Sequence, residues 1–359
     1  MASDLILVAV GDLHINHPDP FSLLQHTAAV LQQADFTIGN LEGAASDVGE
    51  PLSEKEFFQS VTEKAPAHSA PALKRAGFDA LGLANNHALD FGIEALLDTI
   101  TTLDKLGIAH AGGGRTLAEA RKPAILEKNG VRIALLACTS VFTPSFPALD
   151  NRPGVVCVDV QTHYLVPQSL PYAPGAWPRS VTSVVPKDKA MVLEDVGKAK
   201  EDADIVVVNC HWGLSPSAVS KAMGIPKEQA PNVVMDYQEE LGRAIIDAGA
   251  SLVVGHHPHK LQGIECYKGG LICYSVSDFA FYPPVGDPTS CMVKAYIDPQ
   301  RKLINRFGVV PIRMTGNANA PQIASGKDAQ AITEQLTLLS RKYGTRFSAA
   351  GDEVTVTAS

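Results

Sequence analysis

The sequence lacks a long hydrophobic segment. Its first apolar run, Leu5 to Val10, is far shorter than the roughly 20 residues that a membrane-spanning helix needs. Neither a basic flank nor a small-residue cleavage site accompanies this run, which argues against a secretory signal. We therefore expect a soluble, cytoplasmic protein without a membrane anchor.

Positive charge is scarce as well. The 359 residues include 30 Lys and Arg against 38 Asp and Glu, which gives a formal net charge of -8, and no dense basic run occurs. Because a nucleic-acid surface needs a basic face, we expect no nucleic-acid partner. The six cysteines include no Cys-x-x-Cys pair, and several lie in apolar runs, so we expect reduced, buried thiols.

The usual nucleophile and nucleotide-binding motifs are missing. No G-x-S-x-G sequence occurs, and no Ser or Cys stands out as a nucleophile. The glycines from Gly112 to Gly114, followed by Arg115, lack the spacing of a phosphate-binding loop and predict a turn. If the protein is an enzyme, we expect water to be the attacking group.

Short apolar runs alternate with helical patterns along the chain. Apolar residues recur at helical spacing near Leu24 to Leu31, from Ile93 to Leu103 and from Glu239 to Ala248. The hydrophobic content of 45% is sufficient for a sizeable core. This alternation predicts an α/β fold with a largely parallel sheet. The runs that predict strands lie at residues 5–10, 35–38, 80–84, 131–138, 205–210 and 251–254.

Two stretches interrupt this alternation and predict insertions at residues 142–187 and 214–236. The first is rich in proline and carries the aromatic residues Phe146, Tyr164, Tyr172 and Trp177. Long loops in a compact domain are often functional lids, although a plain surface loop is the alternative.

Polar side chains that can bind metal follow five of the predicted strands. In open α/β sheets, functional sites gather at the carboxyl ends of the strands, so we expect these side chains to converge. The candidates, in chain order, are Asp12, His14, Asn40, Glu42, Asn86, His87, Asp90, His211, His256, His257 and His259.

The mixture of imidazole, carboxylate and amide ligands favours Mn, Fe or Zn, and the number of candidates suggests two divalent ions. Taken singly, each candidate has an ordinary explanation. Asp12 and His14 are compatible with a turn or helix cap, and His211 with a buried core histidine. The three histidines between His256 and His259 are the most specific pattern.

As a set, these motifs resemble a known family. Gly-Asp12, Asn40-Leu-Glu42, Leu-Ala-Asn-Asn-His87-Ala-Leu-Asp90, His211-Trp-Gly and Gly-His256-His-Pro-His259-x-Leu-Gln262 are similar to the signature of the poly-gamma-glutamate capsule synthesis protein (CapA-type) family. That family is regarded as a branch of the calcineurin-like metallophosphoesterases. The similarity extends from about Asp4 to Phe281.

The resemblance implies a four-layer α/β/β/α sandwich of the metallophosphoesterase type with two metals at the sheet edge. It implies that His87 faces the substrate as a general acid or charge stabiliser and that Asp90 orients His87. The metal ligands that it implies, together with Glu42 as a replacement carboxylate, are Asp12, His14, Glu42, Asn86, His211, His256 and His259.

Three positions depart from the expected pattern. Asn40 stands where phosphoesterases place a carboxylate that bridges the two metals. The superfamily spacing selects His257 rather than His256 as a ligand, which leaves that choice open. Asp278 adds a carboxylate where the family commonly has Asn, and its meaning is open.

Two functions follow. The first is a metal-dependent hydrolase in which a metal-bound hydroxide attacks an ester, amide, lactone or phosphoester bond of a small or oligomeric substrate. The alternative is a non-catalytic accessory protein in poly-gamma-glutamate synthesis or export. We expect residues 1–300 to form the catalytic domain and residues 301–359 to pack on it as an extension, and the sequence leaves the oligomeric state undetermined.

Overall fold

The structure is a computed structural model that describes residues 3–54, 64–166, 178–226, 229–230, 232–316, 320–351 and 353–358. Its strands are β1 (Leu5–Ile15), β2 (Phe36–Leu41), β3 (Ala80–Gly82), β4 (Ala109–Ala111), β5 (Gly113–Gly114), β6 (Ala124–Lys128), β7 (Val131–Thr139), β8 (Gly154–Val155), β9 (Val160–Leu165), β10 (Arg179–Val184), β11 (Ile205–His211), β12 (Leu252–His256), β13 (Ile264–Tyr267), β14 (Gly270–Cys273), β15 (Asp278–Tyr282), β16 (Thr289–Asp298), β17 (Leu303–Thr315), β18 (Ala320–Ile323), β19 (Thr345–Ala350) and β20 (Glu353–Ala358).

The described α-helices are α1 (Ala28–Gln33), α2 (Ala70–Ala76), α3 (Gly92–Leu106), α4 (Leu117–Ala120), α5 (Pro186–Asp202), α6 (Pro216–Met223), α7 (Asp236–Asp247) and α8 (Gly326–Ser340). Short 3-10 helices occur at Pro20–Leu23, Ala67–Ser69 and Arg341–Tyr343.

Two large sheets form the centre of the molecule. The first contains β1 to β4 as parallel neighbours, continues through the antiparallel strands β16, β17, β20 and β19, and takes up β15 and β18 at its side. The second has the order β13, β14, β12, β11, β7, β6, and its four central strands run parallel.

Alternate residues of the second sheet belong to two different cores. Along β11, Ile205 and Val207 pack in the core that also contains residues of the first sheet, whereas Val206 and Val208 pack with residues of α5 and α7. Helices α1, α2 and α3 contribute to the core of the first sheet. The four-layer α/β/β/α sandwich expected from the resemblance is therefore confirmed.

The predicted strands each overlap a strand of the structure, but β1 is longer than the apolar pattern suggests. Strand β1 continues to Ile15 because Leu13 to Ile15 pair with β15. Helix α1 begins later than predicted, at Ala28, because a turn closed by the Thr27 hydroxyl and the carbonyl of Leu24 precedes it.

The first predicted insertion contains a β-hairpin formed by β9 and β10. Phe146 is fully buried in the core, and Tyr164 on the hairpin is 67% exposed. Tyr172 and Trp177 lie outside the described residues. The second insertion contains α6, and residues 227, 228 and 231 lie outside the described residues. A lid function for either stretch stays a prediction.

The C-terminal 60 residues extend the first sheet. Strand β17 pairs with β16 along its length, and β19 and β20 add the outer strands. The predicted division at residue 300 stays a prediction. All six cysteines are free, and four of them are buried. Within the described ranges, no helix is long and apolar enough to cross a bilayer.

Candidate metal centre

The predicted ligands converge because the strands that carry them run parallel. Asp12 of β1 lies opposite Asn40 of β2, and His211 of β11 lies opposite His256 of β12. Parallel strands present their carboxyl ends at the same edge of a sheet. Since the two sheets pack face to face, the two pairs meet between them.

Gly11 allows a close approach on the other side of β1. A Cβ atom at this position would lie 1.9 Å from the carbonyl oxygen of Ser277. The backbone N–H of Asp12 donates to the same carbonyl at 3.2 Å, and Asp12 pairs with Asp278 in the ladder between β1 and β15. Glycine is therefore required here to bring the two carboxylates to one edge.

Glu42 is at the centre of the cluster. Its Oε1 atom lies 3.7 Å from His87 Nε2, 3.9 Å from His211 Nε2 and 3.8 Å from His259 Nε2. These separations exceed a hydrogen bond. Glu42 is only 1% exposed, and neither of its carboxylate oxygens has a hydrogen-bond partner within the described part of the chain.

The Asp12 carboxylate, in contrast, accepts two hydrogen bonds and lies close to a third polar group. Asn40 Nδ2 donates to Asp12 Oδ1 at 2.7 Å, and the backbone N–H of His257 donates to Oδ2 at 3.0 Å. His256 Nδ1 lies 3.1 Å from Asp12 Oδ1. These contacts fix the orientation of the carboxylate.

Asn40 therefore acts as a hydrogen-bond donor. Besides Asp12, its amide nitrogen lies 3.4 Å from His211 Nδ1. The other ring nitrogen of His211 lies 2.6 Å from Asn86 Oδ1. The amide of Asn40 thus links a carboxylate and an imidazole that belong to different sheets.

Two other histidines are each held by a carboxylate. His87 Nδ1 lies 2.6 Å from Asp90 Oδ2, and His259 Nδ1 lies 2.7 Å from Asp278 Oδ1. In both residues, Nε2 is the nitrogen on the side of Glu42. A hydrogen bond at one ring nitrogen fixes the ring so that the other can act as a ligand or an acid.

Burial controls the protonation of the carboxylates. It raises the pKa of Glu42 well above its usual range, and the nearby charge of Asp12 adds to the increase. Burial also raises the pKa of Asp12, but His256 and the other imidazoles outweigh this effect and hold that pKa well below its usual range.

The pKa values of two imidazoles are likewise shifted in opposite directions. Burial lowers the pKa of His211, and the proximity of His257 lowers it further. Burial opposes the charged form of His259 as well, but Asp278 and Glu42 outweigh it and raise its pKa to about 10. Metal binding to His259 would therefore displace a proton from its ring.

Two sets of three side chains each bring their ligand atoms within 4.8 Å of one another. The first comprises Glu42, His211 and His257, and the second comprises Asp12, His259 and Asp278. The buried, uncompensated oxygens of Glu42 and the mixed nitrogen and oxygen donors fit divalent transition metals.

The remaining predicted ligands lie in or beside the cluster. His14 Nδ1 donates to the backbone carbonyl of Glu42 at 3.0 Å. His256 is fully buried at the end of β12, and its Nε2 has no hydrogen-bond partner among the described residues. Asn86 contacts His211 as described above. The structure brings all nine predicted site residues to one region, while their roles stay predictions.

Two residues of the candidate sets were absent from the predicted ligands. His257 is indicated by the H-x-H spacing, and its backbone, like that of His259, has a positive φ, of 92°. Asp278 is a departure from the family pattern, but its proximity to Asp12 depends on the pairing of β15 with β1. No local pattern in the sequence reveals that pairing.

Fold and site together define the class of protein, a four-layer α/β/β/α sandwich with a buried cluster of histidines and carboxylates at the carboxyl edge of its strands. The family model for "Bacterial capsule synthesis protein PGA_cap" matches residues 4–283. The chain therefore belongs to this capsule synthesis family.

The chain is also similar to individual proteins of known sequence or structure. The chain is 30% identical over 320 residues to the PGA biosynthesis protein CapA of Bacillus subtilis (strain 168), covering 88% of this chain and 71% of that protein. It is 27% identical over 347 residues to a probable polyglutamine synthesis accessory protein of Mycobacterium tuberculosis, covering 94% of this chain and 79% of that protein. A solved structure described as a novel phosphatase of Mycoplasma pneumoniae matches with 14% identity and a TM-score of 0.47, over 87% of this chain and 95% of that one.

Proposed function

We propose that this protein is a metal-dependent hydrolase. The observation that carries the proposal is the environment of Glu42, whose Oε1 atom faces three imidazole nitrogens at 3.7 to 3.9 Å while it is 1% exposed. A buried carboxylate without hydrogen bonds is costly unless a cation compensates it. Divalent metal ions satisfy this requirement.

We propose two ions held by different ligands. Glu42, His211 and His257 would hold one, and Asp12 and His259 would form the basis of the other. His14, Asn86 and His256 lie beside these groups and would complete the coordination. Ions in this position would polarise a substrate oxygen and lower the pKa of a water molecule to near neutrality.

His87 is suited to proton transfer. Its side chain is 20% exposed, whereas that of Glu42 is fully buried, so His87 is accessible to a substrate. Asp90 holds Nδ1 at 2.6 Å and thereby directs Nε2 towards the cluster. From there His87 would protonate the leaving group, and Asp90 would stabilise the charged ring.

For the substrate, we propose a small or oligomeric compound with an ester, amide, lactone or phosphoester bond. The names of the relatives support a connection with an anionic glutamate polymer, because one is called a PGA biosynthesis protein. An amide of a glutamate oligomer is therefore the first substrate to test.

A non-catalytic accessory role is the second candidate. It is favoured by the name of the Mycobacterium tuberculosis relative, which is called an accessory protein. In that role the metal would stabilise the fold or a binding surface, and no turnover would occur.

The experiment begins with the purified protein, whose bound metals are measured after dialysis against Mn²⁺, Fe²⁺ and Zn²⁺. A panel of phosphoesters, esters, lactones and gamma-glutamyl amides is then assayed with and without chelator. The hydrolase proposal predicts bound metal and chelator-sensitive turnover of at least one compound. Bound metal without turnover on the whole panel would favour the accessory role.

His87→Ala separates proton transfer from metal binding. We expect turnover to fall by about 10²- to 10⁴-fold, the usual contribution of a general acid, while the metal content stays unchanged. His110→Ala is the matched control, because His110 also pairs with an aspartate, Asp104 at 3.3 Å, but lies on β4, two strands from the β2 strand that carries Asn40. Full activity in His87→Ala would refute the role given to this residue.

A further inference from the structure

Two imidazole–carboxylate pairs in this protein have nearly the same geometry. His87 Nδ1 lies 2.6 Å from Asp90 Oδ2, and His259 Nδ1 lies 2.7 Å from Asp278 Oδ1. Their Nε2 atoms lie 3.7 and 3.8 Å from the same oxygen of Glu42. Each pair therefore fixes one ring nitrogen and directs the other towards the same point.

The surroundings of the two pairs differ. The His87 side chain is 20% exposed and that of its partner Asp90 is 2% exposed, whereas the values for His259 and Asp278 are 13% and 0%. His259 and Asp278 also form a group with Asp12, in which ligand atoms lie within 4.8 Å of one another. The second pair is thus the one that belongs to the interior of the cluster.

Asp278 is held in place by the backbone. It pairs with Asp12 in the parallel ladder between β15 and β1, and Ser277 before it adopts a φ of 67°. On its far side, a Cβ atom at Gly286 would lie 2.4 Å from Asp278 Oδ2, so the chain passes close to the carboxylate. This packing leaves little freedom for the Asp278 side chain to turn away from His259.

The second oxygen of Asp278 is uncompensated. Within the described ranges, Oδ2 is buried and has no hydrogen-bond partner. In the same ranges, Asp278 forms an ion pair with His259. A fully buried carboxylate whose charge is shared with a single imidazole is costly. A cation bound through that imidazole would offset this cost.

We propose that Asp278 is the positioning residue of the metal centre, which holds His259 Nδ1 and so presents Nε2 of His259 to a divalent ion. This inference rests on the proposed metal-dependent function. A carboxylate behind a ligating histidine orients the ring and increases its basicity, and the loss of such a partner typically weakens metal binding about 10- to 100-fold. Asp278 thereby adds a third carboxylate to the centre, besides Asp12 and Glu42.

The test is a titration of metal-depleted protein with Co²⁺, in competition with a chelator of known affinity, followed by the visible absorption of the bound ion. Asp278→Asn keeps an oxygen that can accept from Nδ1 but removes the charge, and Asp278→Ala removes both. We expect Co²⁺ binding to weaken about 10-fold or more in Asp278→Asn and further in Asp278→Ala, with a shift of the absorption bands in both.

Asp90→Asn is the matched control, because it alters the other imidazole–carboxylate pair without touching His259. Its Co²⁺ affinity and spectrum should equal those of the unchanged protein. Circular dichroism of the metal-free variants shows whether each is folded. If Asp278→Ala does not fold, Asp278→Asn alone is sufficient for the test.

The outcomes separate this inference from the proposed function. Unaltered Co²⁺ affinity and spectrum in Asp278→Asn would overturn the positioning role while the metal centre itself stands. Equal weakening by Asp90→Asn and Asp278→Asn would also overturn it, because the effect would then be one of general charge. An unchanged protein that binds no Co²⁺ would overturn the proposed function together with this inference.

Discussion

Two buried glutamates in this protein have opposite surroundings. Glu265, on β13, is 6% exposed and accepts hydrogen bonds from the hydroxyl of Tyr274 at 2.6 Å and from Nε of Arg243 at 3.0 Å. Glu42 is 1% exposed, and within the described residues its oxygens have no hydrogen-bond partner. The protein thus neutralises one buried carboxylate with its own side chains and leaves the other open.

The difference indicates the purpose of each residue. The Glu265 carboxylate is enclosed by Arg243 and Tyr274, and its hydrogen bonds stabilise the packing of β13 against α7. A carboxylate surrounded by imidazoles beyond hydrogen-bond distance can instead accept a ligand from outside the chain.

Glu42→Gln should nearly abolish metal binding. Removal of the central negative charge should weaken the affinity more than about 100-fold, beyond the usual effect of an outer-sphere residue. Equilibrium dialysis followed by elemental analysis measures this. The metal-free variant should be at least as stable as the metal-free unchanged protein, because burial already disfavours the charged form of Glu42 and raises its pKa.

Removal of metal should destabilise the unchanged protein but not Glu42→Gln. A ligand present at 100 times its dissociation constant stabilises the folded state by about 2.7 kcal/mol. We therefore expect chelator to lower the melting temperature of the unchanged protein by several degrees. A similar decrease in Glu42→Gln would mean that the stabilising metal binds elsewhere.

Glu265→Gln should lower the stability of the fold and leave metal binding unchanged. It replaces a charged carboxylate that accepts hydrogen bonds from Arg243 and Tyr274, and we expect a loss of roughly 1 to 3 kcal/mol in the free energy of unfolding. The loss in the free energy of unfolding should lie at the low end of this range, because the Arg243 side chain is 38% exposed and solvent screens the ion pair. Urea denaturation measures the change, and metal content should be unaltered. A loss of metal in this variant would contradict the separation of the two sites.

Tyr274→Phe should have the smallest effect. The change removes one hydrogen bond to Glu265 and leaves the buried ring in place, so a loss of about 1 kcal/mol is expected. The matched control is Tyr282→Phe, since Tyr282 is partly exposed and lies on β15 with the first sheet, whereas Glu265 lies on β13 of the second. If both substitutions have the same effect, the Tyr274 hydroxyl contributes nothing specific.

Much of the candidate site follows from local sequence patterns. Asp12, His211 and His256 each lie at or near the end of an apolar run, and the carboxyl ends of parallel strands must meet. The length of an apolar run does not reveal where strand pairing ends. The run predicts a strand that stops at Val10, whereas β1 continues to Ile15. Its last residues are strand residues because β15 pairs with them.

Two features of the site depend on information that is not local. Asp278 lies opposite Asp12 only because a strand more than 260 residues later in the chain pairs with β1. His257 joins Glu42 and His211 because its backbone has a φ of 92°, a conformation that hydrophobic periodicity does not encode. The open environment of Glu42 was equally invisible, since it results from the meeting of two sheets.

The central claim is that the cluster around Glu42 is a metal centre, and the metal content of the purified protein tests it most directly. After dialysis against Mn²⁺, Fe²⁺ or Zn²⁺, we predict about two ions per chain in the unchanged protein and in Glu265→Gln, and far less than one in Glu42→Gln. An unchanged protein without bound metal, or a Glu42→Gln variant with its full complement, would contradict the account.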